Sequence, residues 1–202
     1  MEKTLLQYGE YYHIYNRGNN SETLFYSPEN YNYFLELYAK YIVPIAKTFA
    51  YCLMSNHFHF VVQIKTESEI KTFTELQLFE NNKRNIFTDR KPIPSHQFSH
   101  LFIAYSKMIN KKRKRTGSLF EHPFERRIIE NEIYLQNSIA YVHNNPVKAQ
   151  IVKSVSEYRW SSYNALIAEN ETKLDRDFVM KLFGDKQYFI NFNDAFYGEL
   201  GY

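Results

Sequence analysis

The chain has 202 residues, 44% of them hydrophobic, and a formal net charge of +3. That length and composition fit one compact domain with a core, or a domain with a short extension. A single cysteine, Cys52, excludes an internal disulfide framework and a cysteine-built zinc cluster. The polar start Met1-Glu2-Lys3-Thr4 opens no signal-peptide pattern, and no run of about 18 apolar residues occurs. A cytoplasmic protein without a membrane partner is therefore expected.

Tyr11 to Arg17 is β-prone and stops at Gly18-Asn19-Asn20, a turn signal. Ser27-Pro28 reads as an N-cap followed by proline at the first helical position. Tyr31, Phe34, Leu35, Tyr38 and Ile42 then form an apolar stripe at helical spacing, which Pro44 ends. Two β-rich runs, Ile45 to Met54 and His57 to Ile64, are separated only by Ser55-Asn56, a hairpin signal. Residues 65–94 are polar and weakly periodic, which suggests helix fragments and loop. A second helix, capped by Ser95, carries Phe98, Leu101, Phe102, Tyr105 and Ile109 into Lys111-Lys112-Arg113-Lys114-Arg115, and Thr116-Gly117 breaks it. Phe124 to Glu130 is a strand candidate. Asn131-Glu132 opens a third helix through Leu135, Ile139 and Tyr141 to Asn145, closed by Pro146. The last stretch reads as small helices with a turn at Gly184. The pattern predicts an α+β fold: an antiparallel sheet with helices on one face and a small C-terminal helical appendage. The expected division is 1–155 for the main domain and 156–202 for a helical extension packed on it.

Charge is concentrated. Lys107 to Arg127 holds eight Lys or Arg against two Glu, leaving 17 basic and 20 acidic residues elsewhere. A basic segment on a mildly acidic body suggests contact with a phosphate backbone, against the plainer reading of a solvated face. The 18 Tyr and 17 Phe fit an aromatic core, and also stacking surfaces for unpaired bases.

His57-Phe58-His59 opens a strand, so the two imidazoles face one way and Phe58 the other. Side-by-side imidazoles suit a divalent metal, although His-x-His alone is a weak signal. Tyr141 and Asn145 are four apart on a helix and share a face. A phenol and an amide oxygen can thus enter one space. An oxygen ligand beside two nitrogens, with positions open for a phosphate, suits Mg²⁺ or Mn²⁺. The plainer alternative makes Tyr141 a core residue and Asn145 a helix-end cap. Tyrosine has a pKa of about 10, so as a nucleophile it needs a neighbouring base or metal. Tyr105 is a rival nucleophile, but its phase among Phe98, Leu101, Phe102 and Ile109 points to packing. His13, His96, His100 and His122 carry no pattern, and His143 faces elsewhere on its helix.

Phe49-Ala50-Tyr51-Cys52-Leu53-Met54-Ser55-Asn56-His57-Phe58-His59-Phe60 resembles the His-hydrophobe-His segment of the HUH endonucleases. With Tyr12 to Asn19, Gly117-Ser118-Leu119-Phe120, Tyr141 to Ala149 and Trp160-Ser161-Ser162-Tyr163, it resembles the REP-associated tyrosine transposases. These are single-tyrosine enzymes related to minimal bacterial insertion sequences, and the resemblance runs from about Tyr11 to about Phe192. It implies that His57, His59 and Asn145 bind the metal and that Tyr141 is the nucleophile. It further implies a ferredoxin-like (RRM-like) fold and a cytoplasmic bacterial protein at the nucleoid. The expected partner is single-stranded DNA with palindromic hairpin repeats, engaged by a homodimer or a monomer. Glu121-His122-Pro123-Phe124-Glu125-Arg126 departs from the commoner glycine-and-arginine pattern, which leaves DNA contacts there open. Candidate phosphate contacts are Arg17, Lys111, Lys112, Arg113, Lys114, Arg115, Arg126 and Arg127. The expected activity is metal-dependent cleavage and strand transfer through a covalent 5′-phosphotyrosine. Two alternatives stay open: a non-catalytic nucleic-acid-binding module of the same descent, and another HUH class such as a replication initiator or relaxase.

Overall fold

A computed structural model describes residues 5–80 and 89–196. The expectations for Met1 to Thr4, for part of 65–94 and for the last six residues lie outside the described residues. Strand β1 (Tyr11–Arg17) is followed by helix α1 (Pro28–Tyr41) and by the hairpin β2 (Ala46–Met54) and β3 (His57–Ile64). Helices α2 (Phe73–Glu80) and α3 (Pro94–Arg113), strand β4 (Glu125–Ile129) and helix α4 (Glu132–Lys148) come next. Short helices α5 (Tyr163–Ile167), α6 (Arg176–Phe183) and α7 (Lys186–Asp194) end the described chain.

The strands form one antiparallel sheet in the order β2-β3-β1-β4, the α+β architecture that the pattern predicts. Alternation along β1 and β3 sends Tyr12, Ile14, Phe58 and Phe60 into a first core with Phe34 of α1 and Tyr105 of α3. Tyr105 is fully buried and its hydroxyl donates to the Leu24 carbonyl at 2.7 Å. It is a core residue and no nucleophile.

The opposite face is not bare. Phe49, Cys52 and Val61 of the sheet pack there with Ile139 and Val142 of α4 and with Phe189 of α7, a second core. Alternation along β2, interrupted by a register shift between Thr48 and Ala50, sends its residues to both cores. The helices expected on one face are thus α1 and α3, while α4 and the C-terminal helices cover part of the other.

Two helix limits differ from expectation. Helix α3 starts at Pro94 rather than after Ser95, because proline's fixed φ suits the first turn and its missing N–H costs nothing there. Pro146 lies inside α4 instead of closing it. The Asn145 side-chain amide donates to the Tyr141 carbonyl at 2.9 Å and reaches towards that of Val142 at 3.5 Å, the carbonyl that proline leaves without its helical donor. Among the described residues, no helix is long and apolar enough to cross a membrane.

Candidate active site

The face of the sheet that carries the second core is left open beside α4, and there the strands present their odd-numbered residues. His13, Tyr15 and Arg17 of β1 sit opposite Val61, His59 and His57 of β3 in the antiparallel register. His57 and His59 lie side by side, ring centroids 5.2 Å apart, as the two-residue spacing predicts. Phe58 faces the other way, into the first core.

Helix α4 brings Tyr141 to this face from far along the chain. Its ring meets His59 edge-on at 5.9 Å and His13 edge-on at 5.9 Å. Lys148, two turns on, places its Nζ 4.9 Å from the Tyr141 ring, which brings a positive charge to the phenol. Asn145, one turn after Tyr141, is half-buried. Its Nδ2 is spent on the Tyr141 carbonyl, so Oδ1 is the atom left to act as a ligand.

Both imidazoles are held neutral. Burial, and then the Arg17 guanidinium, lower the His57 pKa to about 4. Burial, then His13 and His57, hold His59 well below the usual histidine range. Each Nδ1 is occupied: that of His57 donates to Asn56 Oδ1 at 2.7 Å, and that of His59 meets His13 Nε2 at 2.9 Å. With His59 Nδ1 as the donor, both Nε2 lone pairs are available, the protonation state in which imidazole ligates a metal. Among the described residues, no group of three His, Cys, Asp or Glu is placed to hold a metal ion. Asn145 on α4 carries an amide oxygen on the helix that faces these two imidazoles.

The pairing of His13 with His59 was not legible in the spacing of histidines. His13 is almost fully buried, its pKa lowered to about 3 by burial and then by Arg127. Its ring stacks on His59 at 5.1 Å. The only available signal was strand alternation, which puts His13 on the same face as Tyr15 and Arg17. Tyr15 itself lies 5.7 Å from His59 and accepts from Arg127 Nε at 3.2 Å.

A cleft of about 210 Å³ opens beside His57, lined also by Tyr15, Asn16, Arg17, Glu121 and Glu125. Arg17 is exposed on its rim, 3.8 Å from Glu121. Glu125 lines the same cleft, so two carboxylates face it beside one exposed guanidinium.

The remaining basic candidates are spread out. Arg127 shares the face of His13, whereas Arg126 is paired with Ile14 and lies on the opposite face. Lys111, Lys112 and Lys114 are exposed at the end of α3. Arg113 covers the Tyr26 ring at 4.1 Å, and Arg115 pairs with Glu22 and donates to Asn110 Oδ1 at 2.7 Å. These two arginines tie α3 to the loop after β1.

No family model matches the chain. A Haemophilus influenzae protein described as a candidate REP-associated tyrosine transposase is 23% identical over 118 residues, 58% of this chain and 59% of the relative. The match thus spans about three-fifths of that relative's length. A solved structure of a REP-associated tyrosine transposase bound to a REP hairpin superposes with a TM-score of 0.57 at 13% identity, covering 84% of this chain and 86% of that one. In sequence over the matched part, and in fold over most of its length, the chain is similar to these REP-associated tyrosine transposases.

Proposed function

We propose that the protein is a metal-dependent single-stranded DNA endonuclease and strand transferase that acts on hairpin-forming repeats through Tyr141. The observation that carries this reading is the Tyr141 ring set edge-on to His59, on a face where two neutral imidazoles lie side by side. The relative's name and the hairpin in the solved neighbour support the substrate class.

His57 Nε2, His59 Nε2 and Asn145 Oδ1 are the atoms that would hold Mg²⁺ or Mn²⁺. When bound, the metal supplies positive charge for a non-bridging phosphate oxygen and for the charge that develops during displacement. Glu121 and Glu125 on the cleft rim repel a phosphate, so such a charge has a clear role there. Tyr141 Oη attacks phosphorus and loses its proton. The P–O3′ bond breaks, and the leaving oxygen takes up a proton to become a free 3′-OH. The product is a 5′-phosphotyrosine that keeps the phosphodiester energy, so the strand can be rejoined to another 3′-OH. His13 orients His59, and Lys148 holds a cation beside the phenol.

The experiment is incubation with labelled hairpin-bearing single-stranded DNA and Mn²⁺, read on a denaturing gel. Wild type forms a covalent adduct, and so does Tyr15→Phe. Tyr141→Phe forms none but still binds the hairpin. An adduct with Tyr141→Phe transfers the nucleophile to Tyr15 or elsewhere, and binding without any adduct in wild type favours the non-catalytic module.

A further inference from the structure

At the β2 edge of the sheet, on the face that α1 covers, a second cavity of about 160 Å³ lies between α1, β2 and the chain from α5 to α6. Leu35, Ala39, Val43, Ala165 and Leu174 give it apolar walls. Tyr38, Thr48 and Tyr51 line it as well. Strict alternation would put Thr48 and Tyr51, three apart on β2, on opposite faces. The register shift between Thr48 and Ala50 brings both to this one.

The hydroxyls are under-used. Those of Tyr38 and Thr48 bond to each other at 2.8 Å, and both residues are almost fully buried. Tyr51 engages Ser162 through its backbone, while its hydroxyl has no protein partner among the described residues. One of the three hydroxyl hydrogens is spent inside the pair, which leaves two to donate. Burial holds the Tyr38 and Tyr51 phenols above the usual tyrosine range, so both stay protonated. Donors in an apolar space cost free energy until an acceptor reaches them. Lys173 is the one charged residue that lines the cavity, and it is exposed at the mouth.

We propose that this cavity is a binding site for a small aromatic carboxylate, a single ring bearing one acid group. Its volume sets the body of the ligand, since an apolar cavity of about 150 Å³ holds benzene. The donors and the cation set the head: a carboxylate accepts from the hydroxyls, and Lys173 offsets its charge. No lining residue belongs to the candidate active site, so the proposal stands apart from the DNA-cleavage reading. The Thr48 carbonyl also accepts from the Asp175 N–H at 2.9 Å, where α6 begins. A ligand seated against Thr48 and Leu174 therefore joins β2 to the C-terminal helices.

The test is an NMR titration of the full chain with benzoate, toluene and benzylammonium, following the backbone amides of Thr48, Ala165 and Leu174. Benzoate is expected to shift these amides with a Kd of about 1 mM or tighter, and to raise the melting temperature. Toluene lacks the acceptor and benzylammonium reverses the charge, so each is expected to bind about tenfold more weakly or not at all. Tyr51→Phe and Lys173→Ala, with fold checked by the melting temperature of the free protein, are expected to weaken benzoate about threefold to tenfold. Toluene binding as tightly as benzoate shows a merely apolar cavity and overturns the proposal. Shifts confined to other amides overturn it as well, as does an unchanged benzoate affinity in both variants. If no probe binds up to about tenfold above the expected Kd, the hydroxyls serve water alone and the proposal fails.

Discussion

His13 and His59 show how much one buried contact can decide. Two buried imidazoles meet at 2.9 Å, so the tautomer of each depends on the other. Removing the His13 ring leaves His59 Nδ1 buried without its acceptor, and the imidazole is then free to rotate or to change tautomer. His13→Leu is expected to lower Mn²⁺ affinity about 10–100-fold, the usual cost of losing such a support, measured by calorimetric titration. His13→Gln, whose terminal amide can occupy the place of Nε2, is expected to retain most of the affinity. A wild-type affinity in His13→Leu removes the orienting role. Gly18 is a second such position: a Cβ there would collide with the Glu22 backbone. Its own N–H donates to the Asn56 carbonyl at 2.8 Å, beside the His57 support.

At the scale of elements, helix α4 is clamped from its far side. His143, fully buried between Tyr141 and Asn145, joins Ser162 Oγ through Nε2 and Asn193 Oδ1 through Nδ1, each at 2.8 Å. Asn144 Nδ2 donates to the Asn193 carbonyl at 2.9 Å. Helix α7 thus holds the turn of α4 that carries the candidate site, and Ser162 Oγ accepts from the Tyr51 N–H at 2.8 Å to tie the same network to β2. Asn193→Ala leaves a buried imidazole nitrogen unpaired, which costs about 1–3 kcal/mol. Urea denaturation is expected to show that loss, together with slower adduct formation. An unchanged denaturation midpoint would sink the clamp.

Over the whole molecule, the two edges of the sheet are treated differently. The β2 edge is closed by the chain after α4, through Leu53 N–H to the Trp160 carbonyl at 2.9 Å and Ser162 N–H to the Tyr51 carbonyl at 2.9 Å. The β4 edge is only five residues long and borders the cleft beside His57. Within the basic run, the exposed lysines and the paired arginines should separate experimentally. Lys111→Ala with Lys112→Ala is expected to flatten the dependence of log hairpin affinity on log salt, by about 0.7–0.9 for each phosphate no longer neutralised. Arg115→Ala, which breaks the Glu22 pair and the Asn110 bond, should instead lower the melting temperature. A salt slope unaltered by the double lysine change would place the phosphate contacts elsewhere.

Local periodicity alone determined the strands, the long helices and the pairing of His57 with His59 and of Tyr141 with Asn145. A period of two or of 3.6 depends only on neighbouring residues, and those residues are in the chain. Motif order also determined the family resemblance. Only the tertiary structure decided which face each helix covers, that Tyr141 rather than Tyr105 reaches the imidazoles, and that His13 stands behind His59 from 46 residues away. It likewise divided Arg126 from Arg127, assigned Arg113 and Arg115 to loop contacts, and put Glu121 and Glu125 on the cleft rim. Each of these depends on which surfaces meet when apolar area is buried, and that choice is made over the whole chain at once.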